Sequence, residues 1–147
     1  MEVYLASAAG LLSWCGKWRK IPTPLAHPTL LAACGADVAL ADSVNRLLYR
    51  QGRISTLPPG VEVLRCWRNQ LLTLSSETNC LTLYDAHDYP LVTSPAGIRP
   101  CDCAVVDCQV IVCGCEDGCL HIFSLPDLRE IAAYPAVSYT HLTLPTT

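Results

Sequence analysis

Apolar residues along this chain fall in short runs, each closed by a turn-forming residue, and the clearest case is Val110 to Ser124. It reads as a tight β-hairpin: one arm Val110-Ile111-Val112-Cys113, a turn at Glu116-Asp117-Gly118, and a return arm Cys119-Leu120-His121-Ile122-Phe123. Asp-Gly between two β-prone arms signals a hairpin because the turn needs positive φ, which glycine adopts without a Cβ clash. Leu71 to Asp85 repeats the layout, with Asn79 where Gly118 stands.

Weaker copies precede these two. Val3-Tyr4-Leu5-Ala6 and Leu11-Leu12-Ser13-Trp14 flank Ser7-Ala8-Ala9-Gly10; the stretch also suits a short buried helix, and its place in the repeat favours strands. Val38 to Ala41 and Arg46 to Arg50 flank a turn at Asp42-Ser43-Val44-Asn45. Inner strands are expected at Thr29 to Cys34, Val61 to Trp67 and Asp102 to Val106. Outer strands are expected at Lys17 to Ile21, Gly52 to Thr56, Leu91 to Thr93 and Arg129 to Tyr134. The prolines at 22, 24 and 28 mark a connection, since proline suits neither a helix interior nor a central strand.

The turn residues that tolerate positive φ, Gly10, Asn45, Asn79 and Gly118, recur roughly every 35 residues. Four short strands per unit at that period predict an all-β fold: a partial β-propeller of about three and a half four-stranded antiparallel blades. The blades are expected at about 1–21, 28–56, 61–93 and 101–135, within one repeat domain spanning 1–136. Each blade is apolar on both faces and becomes stable only between neighbours. Residues 137–147 lack cysteine and charged side chains and break the pattern, reading as a foreign tail or the start of a missing blade. The chain is therefore expected to be a fragment of a longer propeller.

Composition sharpens this picture. The 147 residues are 51% hydrophobic and 16% charged, enough apolar content for a packed core. No apolar run reaches the ~18 residues of a membrane helix. The net charge of -3 disfavours nucleic acid and anionic membranes as partners. The start lacks the basic region of a secretory signal, so the ten cysteines are expected as free thiols in the cytoplasm.

Gly97-Ile98-Arg99-Pro100, then Val105-Val106, Ile111-Val112, and Leu120 with Ile122 and Phe123, resemble the YVTN-type β-propeller repeat, a relative of the WD-repeat class. The resemblance covers roughly residues 3 to 135, with the full motif only in the last unit. No Trp-Asp pair closes a blade, so the stricter WD signature is absent. The resemblance implies loops presented on the disc faces to a protein or small ligand. It also raises an enzymatic alternative: some relatives are lactonases using a metal or His and Arg in the central channel, residues that missing blades would carry.

Two constellations are candidates for chemistry. Six cysteines crowd between Cys101 and Cys119. On a strand, Cys101 and Cys103 would share a face, and with Cys113 and Cys115 could present four thiolates to a metal. The competing reading is cysteine as a small buried hydrophobe, favoured by Cys80 and Cys119 in equivalent slots. A cysteine-rich metal or redox protein is thus a second alternative. Acidic residues in the turns, Asp42, Glu77, Glu116 and Asp117, would gather on one face of regularly stacked blades, to bind a cation or basic partner, or simply be solvated. No nucleophile elbow or phosphate loop occurs, so no catalytic residue is assigned and no cofactor is expected. The leading expectation is a non-enzymatic binding or scaffold module.

Overall fold

The structure, a computed structural model, describes residues 3–7, 10–35, 37–96, 99–114 and 118–135. These form fifteen strands and no helix, in four consecutive antiparallel sheets. The first sheet holds β1 (Val3–Ser7), β2 (Gly10–Trp14) and β3 (Trp18–Ile21). The second holds β4 (Leu30–Cys34), β5 (Asp37–Asp42), β6 (Leu47–Arg50) and β7 (Arg53–Thr56). The third holds β8 (Val61–Trp67), β9 (Gln70–Ser75), β10 (Cys80–Tyr84) and β11 (Pro90–Pro95). The fourth holds β12 (Pro100–Val106), β13 (Gln109–Gly114), β14 (Cys119–Ser124) and β15 (Glu130–Pro135). Each sheet is a meander in which every strand pairs with its sequence neighbour.

The sheets stack face to face, and the sequence shows why. In β9, Leu71 packs toward the second sheet, among Ala39, Ala41, Leu48 and Leu64. Its neighbours Leu72 and Leu74 pack the other way, among Val110, Val112 and Phe123 of the fourth sheet. A strand apolar on both faces needs a partner on each side. A third cluster, around Leu11, Leu25 and Leu40, joins the first sheet to the second. Between neighbouring sheets the backbones approach at the inner strands, β4 to β8 and β8 to β12. Sheets that meet at their inner strands and pack by side chains further out radiate from an axis. The fold is a partial β-propeller of four blades, the first three-stranded and the others four-stranded.

The central hairpin has the expected register, with Val110 opposite Phe123 and Ile111 opposite Ile122. The first hairpin is two strands, with Leu5 opposite Leu12. Two expectations change. The left-handed residue of the second blade's turn is Arg46 (φ 58), not Asn45. Asn45 instead donates its backbone N–H and side-chain amide to Asp42, which leaves positive φ to the residue immediately before β6. Cys34 and Cys66 are not free thiols but form a disulfide, because the inner strands β4 and β8 bring their Cα atoms to 5.4 Å.

The up-and-down path sorts the turns into two faces. The turns after β5, β7 and β9 and the C-terminal ends of β11 and β13 lie on one face, here called the upper, and the alternate described turns on the lower. The lower face carries a buried ionic cluster between blades two and three. Arg50, only 1% exposed, lies 3.8 Å from Asp37 and 3.5 Å from Asp88, and donates to the Asn69 carbonyl. Arg53 meets the same Asp88 at 3.4 Å. Buried charges persist where they are paired in this way.

Candidate binding site

The upper face carries a cleft of about 320 Å³ between the third and fourth blades, lined by Glu62, Ser76, Arg99, Pro100 and Cys101. Its construction starts in the inner strands. The register of β8 against β9 slips between Val61 and Val63, so Glu62 is an extra residue in the ladder. The register of β12 against β13 slips between Pro100 and Asp102, so Cys101 is extra in the same way. A β-bulge locally re-aims side chains and is enriched beside functional sites. Here both bulged side chains are exposed and both line the cleft, whereas β4 pairs with β5 without interruption. Ser76 enters from the turn after β9, and Arg99, at φ 50, from the approach to β12.

The turn carboxylates divide. Asp42 is buried under its own turn, where its Oδ1 accepts the backbone N–H groups of Val44 and Asn45, each at 3.0 Å. Its Oδ2 accepts the Asn45 side-chain amide at 2.7 Å. The bonds from the Asn45 backbone and then its side chain hold Asp42 below the usual carboxylate range, against the opposing effect of burial. It is a turn cap, not a face-lining charge. Glu77 is exposed on the upper face, over Gly60, whose positive φ (+73) and close approach to the Glu77 backbone nitrogen fit only a residue without Cβ. Glu116 and Asp117 lie outside the described residues; of the two described turn carboxylates named from the sequence, Glu77 is the exposed one.

The cysteines divide too. The bulge at Cys101 separates it from Cys103: Cys101 is exposed and donates to the Cys113 carbonyl at 3.4 Å, while Cys103 is buried. Alternation would have put both on one face, and the inserted residue breaks it. Burial pushes the Cys103 thiol up to about 11, away from the thiolate a metal needs. Cys113 is half-buried, and Cys115 lies outside the described residues. Among the described residues no three His, Cys, Asp or Glu side chains gather as metal ligands.

A second cleft, of about 410 Å³, lies along the inner strands, lined by Leu31, Ala33, Leu64, Arg65, Ala104 and their neighbours. Arg65 is its single charged side chain, and that charge is engaged. Arg65 donates to the Cys103 carbonyl at 3.0 Å, the Leu64 carbonyl at 3.1 Å and Asp102 at 3.1 Å, stitching β8 to β12. The histidines do not converge: His87 lies against Arg53, and His121 pairs with Glu130 at 2.7 Å. In the sequence, Glu62 falls within the expected inner strand Val61 to Trp67 with no role assigned, and Ser76 and Arg99 carry no site assignment. The regular alternation of Val61-Glu62-Val63 conceals its bulge, and the Arg-Pro step was the available signal at the other wall.

No protein-family model matches this chain, and no curated protein matches it. Solved structures do. The chain is similar to apo AztD from Citrobacter koseri, with TM-score 0.73, 12% identity, and coverage of 92% of this chain and 45% of that one. It is similar to the computationally designed Ika8 protein, with TM-score 0.72, 11% identity, and coverage of 92% and 46%. It is also similar to BBS1N in complex with ARL6DN, with TM-score 0.64, 17% identity, and coverage of 93% and 49%. At these identities the likeness establishes the propeller fold and no activity. The chain spans less than half the length of these three proteins.

Proposed function

We propose that this chain is a propeller module that binds a small ligand in the upper-face cleft between the third and fourth blades, without transforming it. The observation that carries this is the pair of bulges that turns Glu62 and Cys101 into one cleft. Three turn carboxylates stand in contrast, with oxygens engaged in local caps: Asp42 in its own turn, Asp85 with the N–H groups of His87 and Tyr89, Asp127 with the Ser124 hydroxyl. The reading includes further blades and retains the YVTN-type repeat as its nearest pattern. Its support is the repeat in the sequence and the share of the structural relatives that the chain spans.

The test is a thermal-shift screen across chemical classes of small metabolite, on the natural chain and on Ser76→Tyr, which fills the cleft from its turn. A class that stabilises the natural chain, leaves the filled variant unmoved and is recovered chemically unchanged is the expected result. Stabilisation that persists in Ser76→Tyr, or no stabilising class at all, overturns the site. Conversion of the ligand overturns the non-catalytic part.

A further inference from the structure

The disulfide between Cys34 and Cys66 joins two sulfurs with unequal surroundings. Cys34 closes β4 and is 2% exposed, enclosed with Ala32, Ala39, Ala41 and Leu48 in the cluster between blades two and three. Cys66, on β8, is half-buried at the margin of that cluster and lines the cleft of about 410 Å³ along the inner strands. One half of the bond is thus within reach of solvent and the other is not. The next tie along the inner strands is of another kind. Arg65 holds β8 to β12 through the Cys103 carbonyl at 3.0 Å and Asp102 at 3.1 Å. That tie is indifferent to thiols, whereas the bond between β4 and β8 is open to exchange with them.

We infer that Cys66 is a thiol-exchange site, where a low-molecular-weight thiol opens the link between blades two and three and the corresponding disulfide closes it, with Cys34 as the resolving thiol. In opening, the incoming thiolate forms a bond to the Cys66 sulfur. The Cys34–Cys66 bond breaks, and Cys34 leaves as a thiolate that takes up a proton. A second thiolate then attacks the small molecule's sulfur in this mixed disulfide, releasing Cys66 and a small disulfide. Two electrons have passed from two thiols to the protein bond, and closing reverses both steps. Access selects Cys66 as the sulfur attacked. The leaving group opposes this choice, because apolar surroundings disfavour the Cys34 thiolate and slow its expulsion. Access prevails, since attack on Cys34 requires the cluster around it to unpack first.

The experiment uses glutathione as the probe. Cys34→Ala and Cys66→Ala are held folded with oxidised glutathione, quenched with acid and mapped by mass spectrometry, with exposed Cys108 as the internal standard. Cys34→Ala is expected to gain the adduct on Cys66 at least ~10-fold faster than Cys66→Ala gains it on Cys34. In guanidinium the two rates should converge, which assigns the difference to the fold rather than to neighbouring residues. With reduced glutathione, the natural chain should yield a trapped adduct on Cys66 and none on Cys34. A native rate ratio below ~10-fold, no adduct on Cys66, or a natural-chain adduct on Cys34 overturns the site. Should circular dichroism show either variant unfolded, the natural-chain trap decides by itself.

Discussion

Replacing Cys34 and Cys66 together by alanine removes the covalent link between the inner strands of blades two and three. The bond closes a loop with a sequence separation of 32 residues. The chain-entropy treatment assigns a loop of that length about 3.7 kcal/mol at 25 °C, through restriction of the unfolded chain. For a chain of this size each kcal/mol moves the melting temperature by ~2–4 °C, so the double variant should melt roughly 10 °C lower. The loss of two sulfurs from the core adds a packing cost, and reduction of the natural protein controls for it. With a phosphine reductant, the natural chain should fall most of the way to the variant, and the variant should not respond. Cys34 is buried within the cluster that joins the two blades, so the bond and the packing act on one interface. Circular dichroism melts measure the shift, and alkylation under denaturing conditions, before and after reduction, locates the bond. A natural chain whose melting ignores the reductant, with Cys34 and Cys66 both alkylated before reduction, would refute the reasoning.

Three further outcomes follow from the buried polar groups. Arg50→Met leaves Asp88, 4% exposed, with Arg53 alone, and uncovers the Asn69 carbonyl; urea titration should register a loss of about 3 kcal/mol, and a loss below ~1 kcal/mol would show the cluster to be dispensable. Asp42 has a folded-state pKa below its ordinary value of 3.8, so its contribution is present above that pH and lost as pH falls through the folded value. Melts from pH 6 to ~2 should therefore show Asp42→Asn less sensitive to acid than the natural chain, and parallel curves would contradict the assignment. Cys103, with its thiol raised to about 11 by burial, should resist iodoacetamide at pH ~8 while exposed Cys108 reacts; equal labelling by mass spectrometry would place Cys103 wrongly.

The propeller was legible because its signals are local. Apolar runs of strand length, turn residues at a fixed period and strands apolar on both faces, as in Leu71 to Leu74, imply stacked meanders. The site was less legible, because its making is relational. A bulge depends on the register of two strands, and nothing in Val61-Glu62-Val63 announces that Glu62 has no partner of its own. The pairing of Cys34 with Cys66 depends on neighbouring inner strands lying side by side, a fact of blade packing rather than of spacing. Asp42 reads as a solvated turn carboxylate until its three hydrogen bonds show it capping the turn from beneath. Asn45 misled for the same reason, since its amide serves that carboxylate and Arg46 takes the left-handed position.

Hydrogen–deuterium exchange, with and without the metabolite class that stabilises the chain, tests the cleft most directly. Added protection is expected at the inner-strand bulges and the segments beside them, around Val61 to Val63, Ser76 to Asn79 and Arg99 to Asp102. No change is expected in the lower-face turns at Gln51-Gly52, Arg68-Asn69 and Ala86 to Asp88. Protection confined to the lower face, or spread evenly over both, would contradict it.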